Sequence, residues 1–243
     1  MLPIIHSIQK FRPGTKITWI IGKTEYKLVG DLPNVEFIQF NKSLGFKAYL
    51  EVRKSLKGRT FDALLACQVS LRANILSALI SAKRKIGYDN IRAKDFHSLV
   101  VNEQIAPAQV HVLDSFFQFI EHIGIPHKKF DWSLPITDKD HEFAQSHIRS
   151  SKPTLAISPC SSHPLRNWDV QSYVEVANYA IEKHNMQIIL LGGSSELERQ
   201  FGDDISAQLI SKPIDLIGKD TLKKLLAILQ RCTALLTPDS GPA

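Results

Sequence analysis

Residues 187–196, QIILLGGSSE, decide the fold, because a short apolar run ends there in two glycines and a helical pattern follows. The run at residues 187–191 has the length and composition of a buried strand. Beyond the glycines, apolar side chains recur every four residues, as on one face of a helix: Leu197, Phe201, Ile205 and Leu209. A strand that leads directly into an amphipathic helix is the repeating unit of a parallel α/β sheet.

The same alternation extends in both directions along the chain. Further strands are predicted at residues 16–21, 35–40, 85–88, 154–158, 214–217 and 234–237, with a short apolar run at residues 61–67. Helices are predicted over residues 46–56, 71–82, 112–123, 170–181 and 222–229, and Gly124 stands where a C-terminal cap is expected.

Residues 125–153 interrupt the alternation, since they contain Pro126, Pro135 and Pro153 and lack a continuous apolar face. We predict a first domain over residues 1–135, a linker over 136–153 and a second domain over 154–243. The fold class is therefore α/β, with two parallel-sheet domains that face a cleft.

Composition excludes several classes of protein. The 243 residues are 44% hydrophobic and 22% charged, which excludes collagen, low-complexity disorder and a polar linker, and no apolar run approaches the roughly 20 residues of a membrane span. The start of the chain does not resemble a signal peptide. Three separated cysteines, Cys67, Cys160 and Cys232, argue against a disulfide scaffold and indicate a reducing compartment.

The net charge of +6 is unevenly distributed. Residues 1–100 contain 17 Lys and Arg against 7 Asp and Glu, whereas residues 101–243 contain 13 against 17. This asymmetry indicates an anionic partner for the first half, with a merely solvated basic surface as the alternative. Nucleic acid is not the expected partner, because no aromatic residues alternate with the basic ones and the second half is acidic.

Known catalytic signatures are missing from the sequence. Residues 22–24, Gly-Lys-Thr, lack the upstream glycine of a phosphate-binding loop, and no dinucleotide-binding, zinc-protease or nucleophile-elbow motif occurs. The nine histidines show no metal spacing, so we predict no metal site. Cys160 follows a strand, but without an evident base a structural thiol is the better interpretation than a nucleophile.

Polar residues instead follow three predicted strands of the second half, at the carboxyl ends where ligands bind in open α/β sheets. After the first of these strands, Ser161, Ser162 and Arg166 suit a phosphate or diphosphate, since hydroxyls and amides can surround its oxygens while the guanidinium neutralises charge. The alternative is an ordinary Ser/Pro loop with a surface arginine.

The other two strand ends carry acidic residues. After the paired glycines, Glu196 could accept hydrogen bonds from a ribose diol, or the stretch could simply cap a helix. In the last segment, Ser240 and Gly241 can offer amides to a phosphate, while Asp239 would repel it and is better suited to a sugar hydroxyl. A plain turn is the alternative there.

Taken together, the motifs resemble glycosyltransferase family 9, the ADP-heptose:lipopolysaccharide heptosyltransferases of Gram-negative bacteria. The resemblance lies in the order of Ser-Ser-x₃-Arg-x-Trp, Leu-Leu-Gly-Gly-x-x-Glu, Ile217-Gly218-Lys219 before a leucine-rich helix, and Pro-Asp-Ser-Gly-Pro. In the first half, Leu2-Pro3 leads a helix that ends near residues 11–13, and residues 84–88, RKIGY, precede a basic loop.

The resemblance implies a GT-B architecture of two Rossmann-like domains, with the acceptor held by the first and the donor by the second. In this chain Ser161, Ser162 and Arg166 would hold the diphosphate of ADP-heptose and Glu196 its ribose. Ile217, Gly218 and Lys219 would border the adenine, Asp239 would bind heptose hydroxyls, and Ser240 and Gly241 would lie beside the phosphates. Candidates for acceptor contact are Arg84, Lys85, Arg92 and Lys94, with a position on the solvated surface as the alternative for any single one.

The implied reaction is inverting, independent of metal and free of cofactors, with a Kdo–lipid A type acceptor at the cytoplasmic face of the inner membrane. The family places its catalytic aspartate just before the Leu-Pro pair, so the sequence predicts no catalytic residue between Met1 and Ala243. We expect a fragment that lacks both ends, has an incomplete second domain and is inactive alone. Two alternatives stay open: a GT-B transferase of another nucleotide sugar, and a non-catalytic binder of nucleotide sugar or glycolipid.

Overall fold

A computed structural model describes residues 1–126, 131–148, 151–161 and 163–243. The chain divides into two compact units, Met1–Leu134 and Pro135–Ala243. Both are α/β units with parallel sheets, so the predicted fold class is confirmed. Within the described ranges, no helix is both long and apolar enough to cross a bilayer.

The first unit contains five strands and five α-helices in its described part. In chain order these are α1 Leu2–Phe11, β1 Ile17–Gly22, α2 Lys23–Val29, β2 Val35–Phe40, α3 Phe46–Ser55, β3 Phe61–Leu65, α4 Leu71–Leu79, β4 Ala82–Gly87, β5 Glu103–Gln104 and α5 Val112–His122. Strand β1 pairs with β2, and β3, β4 and β5 pair in that order, all in parallel.

Apolar faces of the helices form the core of this unit. Helices α1 and α5 share one cluster, which contains Ile4, Ile8, Phe117 and Ile120. A second cluster brings buried residues of α3 together with Ile80, at the end of α4. Gly124 has φ +77°, the left-handed conformation expected of the cap after α5.

The second unit is one four-stranded parallel sheet with helices on both faces. Its described elements are α6 Asp138–His147, β6 Thr154–Ile157, α7 Val170–His184, β7 Gln187–Leu190, α8 Glu196–Ser206, β8 Ile214–Asp215, α9 Leu222–Leu229 and β9 Ala234–Leu236. The strand order is β8-β7-β6-β9. Alternate side chains of β7 enter opposite clusters: Ile188 and Leu190 meet α7 and α8, whereas Ile189 meets α6 and α9.

Two features differ from the expectations. A helix, α6, lies where residues 136–153 were expected to be a linker, and it belongs to the second unit. It has a capping box of Thr137 and Asp140, and Ala144 and Ile148 pack against α9. Its few apolar positions explain why periodicity alone did not reveal it. Ala82, expected at the end of a helix, instead begins β4.

Candidate functional site

Four loops meet at the carboxyl edge of the sheet in the second unit, because parallel strands all end on the same side. They follow β8, β7, β6 and β9, and this is also their order across the sheet. The predicted donor residues that the structure describes each lie on one of these loops or at the start of the following helix. Ser162 was also predicted, and it lies outside the described residues.

The loop after β6 is held by its own hydrogen bonds. The Ser161 N–H donates to Asn167 Oδ1 at 2.7 Å, and its hydroxyl donates to the His163 carbonyl at 2.9 Å. The buried Tyr173 hydroxyl donates to the Pro159 carbonyl at 3.0 Å and fastens the loop to α7. Burial raises the pKa of Cys160 to about 11, so this thiol is protonated at neutral pH and is no nucleophile there.

Arg166 and Asp239 form an ion pair, although they are far apart in the sequence. Arg166 ends the short 3₁₀ turn Pro164–Arg166, and its Nη1 lies 2.8 Å from Asp239 Oδ2, in the loop after β9. The side chains are 53% and 85% exposed, so water screens the pair and it contributes little to stability. The sheet order therefore places a cation and a carboxylate side by side at an open edge, where a ligand can reach both.

Asp239 belongs to the final loop, together with the two other predicted phosphate neighbours. The Ser240 hydroxyl lies 2.8 Å from Thr237 Oγ1, and a Cβ added at Gly241 would meet no atom within 4 Å. The backbone at Gly241 is thus open to an approaching ligand.

Glu196 and Glu198 have different roles at the start of α8. Glu198 Oε1 accepts from the Gly193 N–H at 2.7 Å, and Oε2 accepts from the Ser195 hydroxyl at 2.6 Å. Ser195 caps the helix in return by accepting from the Glu198 N–H. Sequence reasoning missed Glu198, although its spacing from Ser195 is that of a capping box. Glu196 is exposed, and its carboxylate forms no hydrogen bond or ion pair with another described residue, so it can accept from a diol.

The loop after β8 is fixed against the loop after β7. The Gly218 N–H donates to the Gly192 carbonyl at 2.9 Å, and Gly218 has φ +72°. Ile217 is 4% exposed and its side chain lies in the core, so it can offer a ligand only its backbone. Lys219 Nζ donates to the Asp215 carbonyl at 2.9 Å. Of these three predicted adenine neighbours, Gly218 and Lys219 are exposed and Ile217 is buried.

Asp220, in the same loop, was not predicted from the sequence. Its Oδ2 is buried and has no hydrogen-bond partner among the described residues. Burial, assisted by the negative charge of Glu198, raises the pKa of Asp220 to about 6. Because its pKa is about 6, the charge of Asp220, beside the candidate site, changes with pH in the neutral range.

Three of the four predicted acceptor contacts are engaged within the first unit. Arg84 donates twice to Glu103 at 2.7 Å, and Lys85 Nζ donates to the Ser77 carbonyl at 2.9 Å. The guanidinium of Arg92 pairs with Asp89 and donates to three further groups: the Ser115 hydroxyl, the Gln118 side chain and the Ala106 carbonyl. Only Lys94 of the four is exposed with no side-chain partner in the described ranges.

The first unit has a cavity of about 220 Å³ at the carboxyl ends of β1 and β2. Lys23 and Lys42 line it, together with Gly22, Thr24, Glu25, Phe40 and Asn41. Neither lysine makes an ion pair with another described residue. Sequence reasoning considered Lys23 only as part of a Gly-Lys-Thr stretch that it rejected as a phosphate-binding loop, and it missed Lys42, because lysines that follow strands are common on any solvated surface.

Comparisons with known proteins identify the family of the chain. The family model for glycosyltransferase family 9 (heptosyltransferase) matches residues 49–243. The lipopolysaccharide core heptosyltransferase OpsX of Haemophilus influenzae is 40% identical over 243 residues, which cover 100% of this chain and 70% of that relative. The chain belongs to glycosyltransferase family 9.

Solved structures show the same fold. A family 9 glycosyl transferase from Veillonella parvula matches with a TM-score of 0.81 and 21% identity, covering 99% of this chain and 71% of that one. Escherichia coli heptosyltransferase WaaC with ADP matches with a TM-score of 0.76 and 16% identity, covering 98% and 77%. The predicted GT-B class is thereby confirmed.

Proposed function

We propose that this protein takes part in the transfer of heptose from ADP-heptose to the inner core of lipopolysaccharide. The observation that carries the proposal is the Arg166–Asp239 pair at the edge where the four loops of the second unit meet. Membership of family 9 and similarity to a lipopolysaccharide core heptosyltransferase support the choice of sugar and acceptor. The chemistry of the loops supports the assignment of the second unit to the donor.

The donor diphosphate is assigned to Arg166, the backbone amides near Ser240 and Ser161, whose hydroxyl would exchange the His163 carbonyl for a phosphate oxygen. Negative charge grows on the diphosphate as the sugar departs, and the donors that already hold the bound diphosphate stabilise that charge. In the proposal, the positive charge of Arg166 and these hydrogen bonds stabilise the diphosphate without a metal ion. We assign the ribose to Glu196 and the heptose hydroxyls to Asp239.

Asp239 has a second effect on the donor. With ADP alone its carboxylate repels the phosphates and competes with them for Arg166. With ADP-heptose it gains hydroxyl donors, and hydrogen bonds to a charged acceptor are among the stronger ones. Asp239 thus favours the sugar nucleotide over the nucleotide product.

The acceptor is assigned to the first unit, where positive charge is concentrated. An inner-core acceptor carries carboxylates and phosphates, and Lys23, Lys42 and Lys94 lack ion-pair partners among the described residues. We place the acceptor headgroup at the cavity lined by Lys23 and Lys42. The proposed setting is the cytoplasmic face of the inner membrane, and inversion at the anomeric carbon follows if the acceptor hydroxyl attacks opposite the leaving diphosphate.

Calorimetric titration tests the donor assignment directly. ADP and ADP-heptose should bind more tightly than UDP and UDP-sugars, and EDTA should not change the affinity. Arg166→Ala should weaken ADP binding about tenfold or more, because a charge-assisted contact to phosphate is lost, while Arg166→Lys should retain part of it. Lys212→Ala, an exposed change elsewhere in the second unit, is the matched control.

A second variant separates the roles of the two paired side chains. Asp239→Asn should leave ADP binding equal or tighter, yet reduce the advantage of ADP-heptose over ADP by about fivefold or more. If Arg166→Ala binds ADP like the unmodified chain, the donor site is misplaced. If UDP-sugars bind best, the enzyme uses another nucleotide sugar.

A further inference from the structure

Glu198, at the start of α8, connects the loops of the candidate site. Its Oε1 accepts from the Gly193 N–H at 2.7 Å, and a Cβ added at Gly193 would lie 2.9 Å from Oε2. The carboxylate thus lies directly against residues 192–195, which we call the glycine loop. Its negative charge also acts on the Cys160 thiol, in the loop after β6, and on the Asp220 carboxyl, in the loop after β8. One carboxylate is therefore within electrostatic reach of three of the four loops.

The loop that carries Asp220 packs against the same glycine loop. The Gly218 N–H donates to the Gly192 carbonyl at 2.9 Å, and a Cβ added at Gly218 would lie 3.4 Å from Ser194 Cα. Asp220 follows Gly218 by only two residues. A change at Asp220 therefore acts on the glycine loop both through these backbone contacts and through the carboxylate that holds the loop.

The carboxyl of Asp220 is poorly solvated in its charged form. Its Oδ2 is buried and accepts no hydrogen bond from a described residue, and this burial is the main reason why the pKa of Asp220 is raised to about 6. Glu198 repels the negative charge of Asp220, and Lys224 on α9 attracts it. Lys224 Nζ also lies 4.4 Å from the centroid of the Phe143 ring, and its charge acts on the Asp140 carboxylate as well. Lys224 thus compensates Asp220 only in part.

The other charged groups of this region neutralise one another. They form ion pairs of 2.8 to 3.4 Å, which join Arg199 to Asp203 and Asp215, and Lys219 to Asp215. Neither Asp220 nor Glu198 forms an ion pair with a residue in the described ranges. Two carboxyls placed in this way resist joint ionisation, so one of them keeps its proton to a higher pH.

We propose that Asp220 is a positioning residue of the donor site, which keeps the glycine loop in its binding conformation when protonated and weakens the binding of a nucleoside diphosphate when ionised. Ionised Asp220 repels the Glu198 carboxylate that accepts from Gly193, and it adds negative charge beside the loops that hold the diphosphate. The proposal rests on the proposed function for its ligand. Because coupling between two binding events is reciprocal, binding of the diphosphate must draw a proton onto Asp220.

Proton uptake tests this coupling in the unmodified chain. Calorimetric titration with ADP, repeated in buffers of different ionisation enthalpy, gives the number of protons that bind with the nucleotide. A coupling of about fivefold predicts that Asp220 takes up at most about 0.4 proton, at about pH 6.3. Asp220→Asn should lack this contribution, because an amide does not titrate. Protons exchanged by ADP and by the other side chains are common to both proteins, so the difference between them measures Asp220 alone.

The pH profile of the affinity distinguishes this role from a purely structural one. At about pH 7.5, Asp220→Asn should bind ADP about fivefold more tightly than the unmodified chain, whereas at about pH 5.5 the two should bind almost equally. Glu182→Gln removes a negative charge at an exposed position of α7 and is the matched control. It should bind ADP like the unmodified chain at both pH values.

The link through Glu198 is tested by Glu198→Gln. This change keeps an acceptor for the Gly193 N–H but removes the charge that repels ionised Asp220. The pH at which proton uptake is greatest should therefore fall. If that pH does not move, Asp220 does not act through Glu198, and its positioning role is wrong.

Two further results would overturn the proposal while the donor assignment stands. In the first, ADP binds but Asp220→Asn takes up as many protons as the unmodified chain. In the second, Asp220→Asn changes the affinity for ADP by the same factor at both pH values, as a purely structural residue would. If ADP binds to none of these proteins, the donor assignment itself fails, and the positioning role of Asp220 fails with it.

Discussion

Replacing Asp220 by Asn should stabilise the protein at neutral pH and lose this advantage in acid. Burial, together with the charge of Glu198, raises the pKa of Asp220 from its ordinary value of 3.8 to about 6, while Lys224 opposes the shift. The folded state therefore binds the proton more tightly than the unfolded state. The contribution of protonated Asp220 to the free energy of unfolding is fully present below about pH 3.8 and is lost as the pH rises through about 6.

The magnitude follows from the size of that shift. A rise from 3.8 to about 6 corresponds to about 3 kcal/mol of unfolding free energy above pH 6. Asp220 is only partly buried, and Oδ2 is the oxygen without a hydrogen-bond partner among the described residues. Screening by water at the accessible part reduces the expected gain for Asp220→Asn to about 1–2 kcal/mol.

Urea unfolding at about pH 5 and about pH 7.5 measures the effect, because the advantage should grow between the two. Asp169→Asn is the opposite-sign control. The Asp169 carboxylate accepts from the Ser172 N–H and hydroxyl at 2.9 and 2.8 Å, which lowers its pKa, so its replacement should not stabilise at the higher pH. A gain for Asp220→Asn that is equal at both pH values, or a loss only at neutral pH, would refute the reasoning.

Two further substitutions test the backbone and the polar core. Gly218→Ala should lower the free energy of unfolding by about 1–2 kcal/mol, because φ at Gly218 is +72°. The same change should weaken ADP binding, because the new Cβ would lie 3.4 Å from Ser194 Cα. Thermal unfolding and ADP titration measure the two effects, and no change in either would show that the loop adapts freely. Asn74→Ala should lower the free energy of unfolding by about 2–4 kcal/mol. It removes the hydrogen bond at 2.8 Å to buried His97 and the hydrogen bonds to the carbonyls of Lys94 and Asp95. Chemical denaturation measures this cost, and a change below about 0.5 kcal/mol would contradict the account.

The positions of the loops that form the candidate site could be predicted from the sequence, because strand ends carry a local signature. Gly192 and Gly193 followed by Ser195 mark the point where a strand gives way to a capped helix. Glu198, whose carboxylate accepts from the Gly193 N–H, was missed. Helix caps and ligand contacts use the same residue types, so the sequence does not show which of the two glutamates has which role. Which glutamate is engaged depends on side-chain geometry within one turn.

The four predicted acceptor contacts, which stay predictions, show what sequence reasoning cannot distinguish. Arg84, Lys85 and Arg92 are basic residues of a basic unit, and nothing local distinguishes them from Lys94. Arg84 meets Glu103 only because β4 pairs with β5. An arginine that is engaged by its own fold and one that is free for a ligand look identical in sequence.

The sequence by itself determined the alternation of strands and helices, the positions of the strand ends and the concentration of positive charge in residues 1–100, because periodicity, turn residues and charge are local properties. The tertiary structure decided what is non-local. Placing β9 beside β6 brings Asp239 to Arg166. The same limit applies to α4, since the spacing of Leu71 and Ile75 predicts a common face but not its direction. That direction depends on hydrogen bonds between Asn74 and the loop of Lys94, Asp95 and His97, at least 20 residues further along the chain. The periodic pattern of one helix contains no information about such distant contacts.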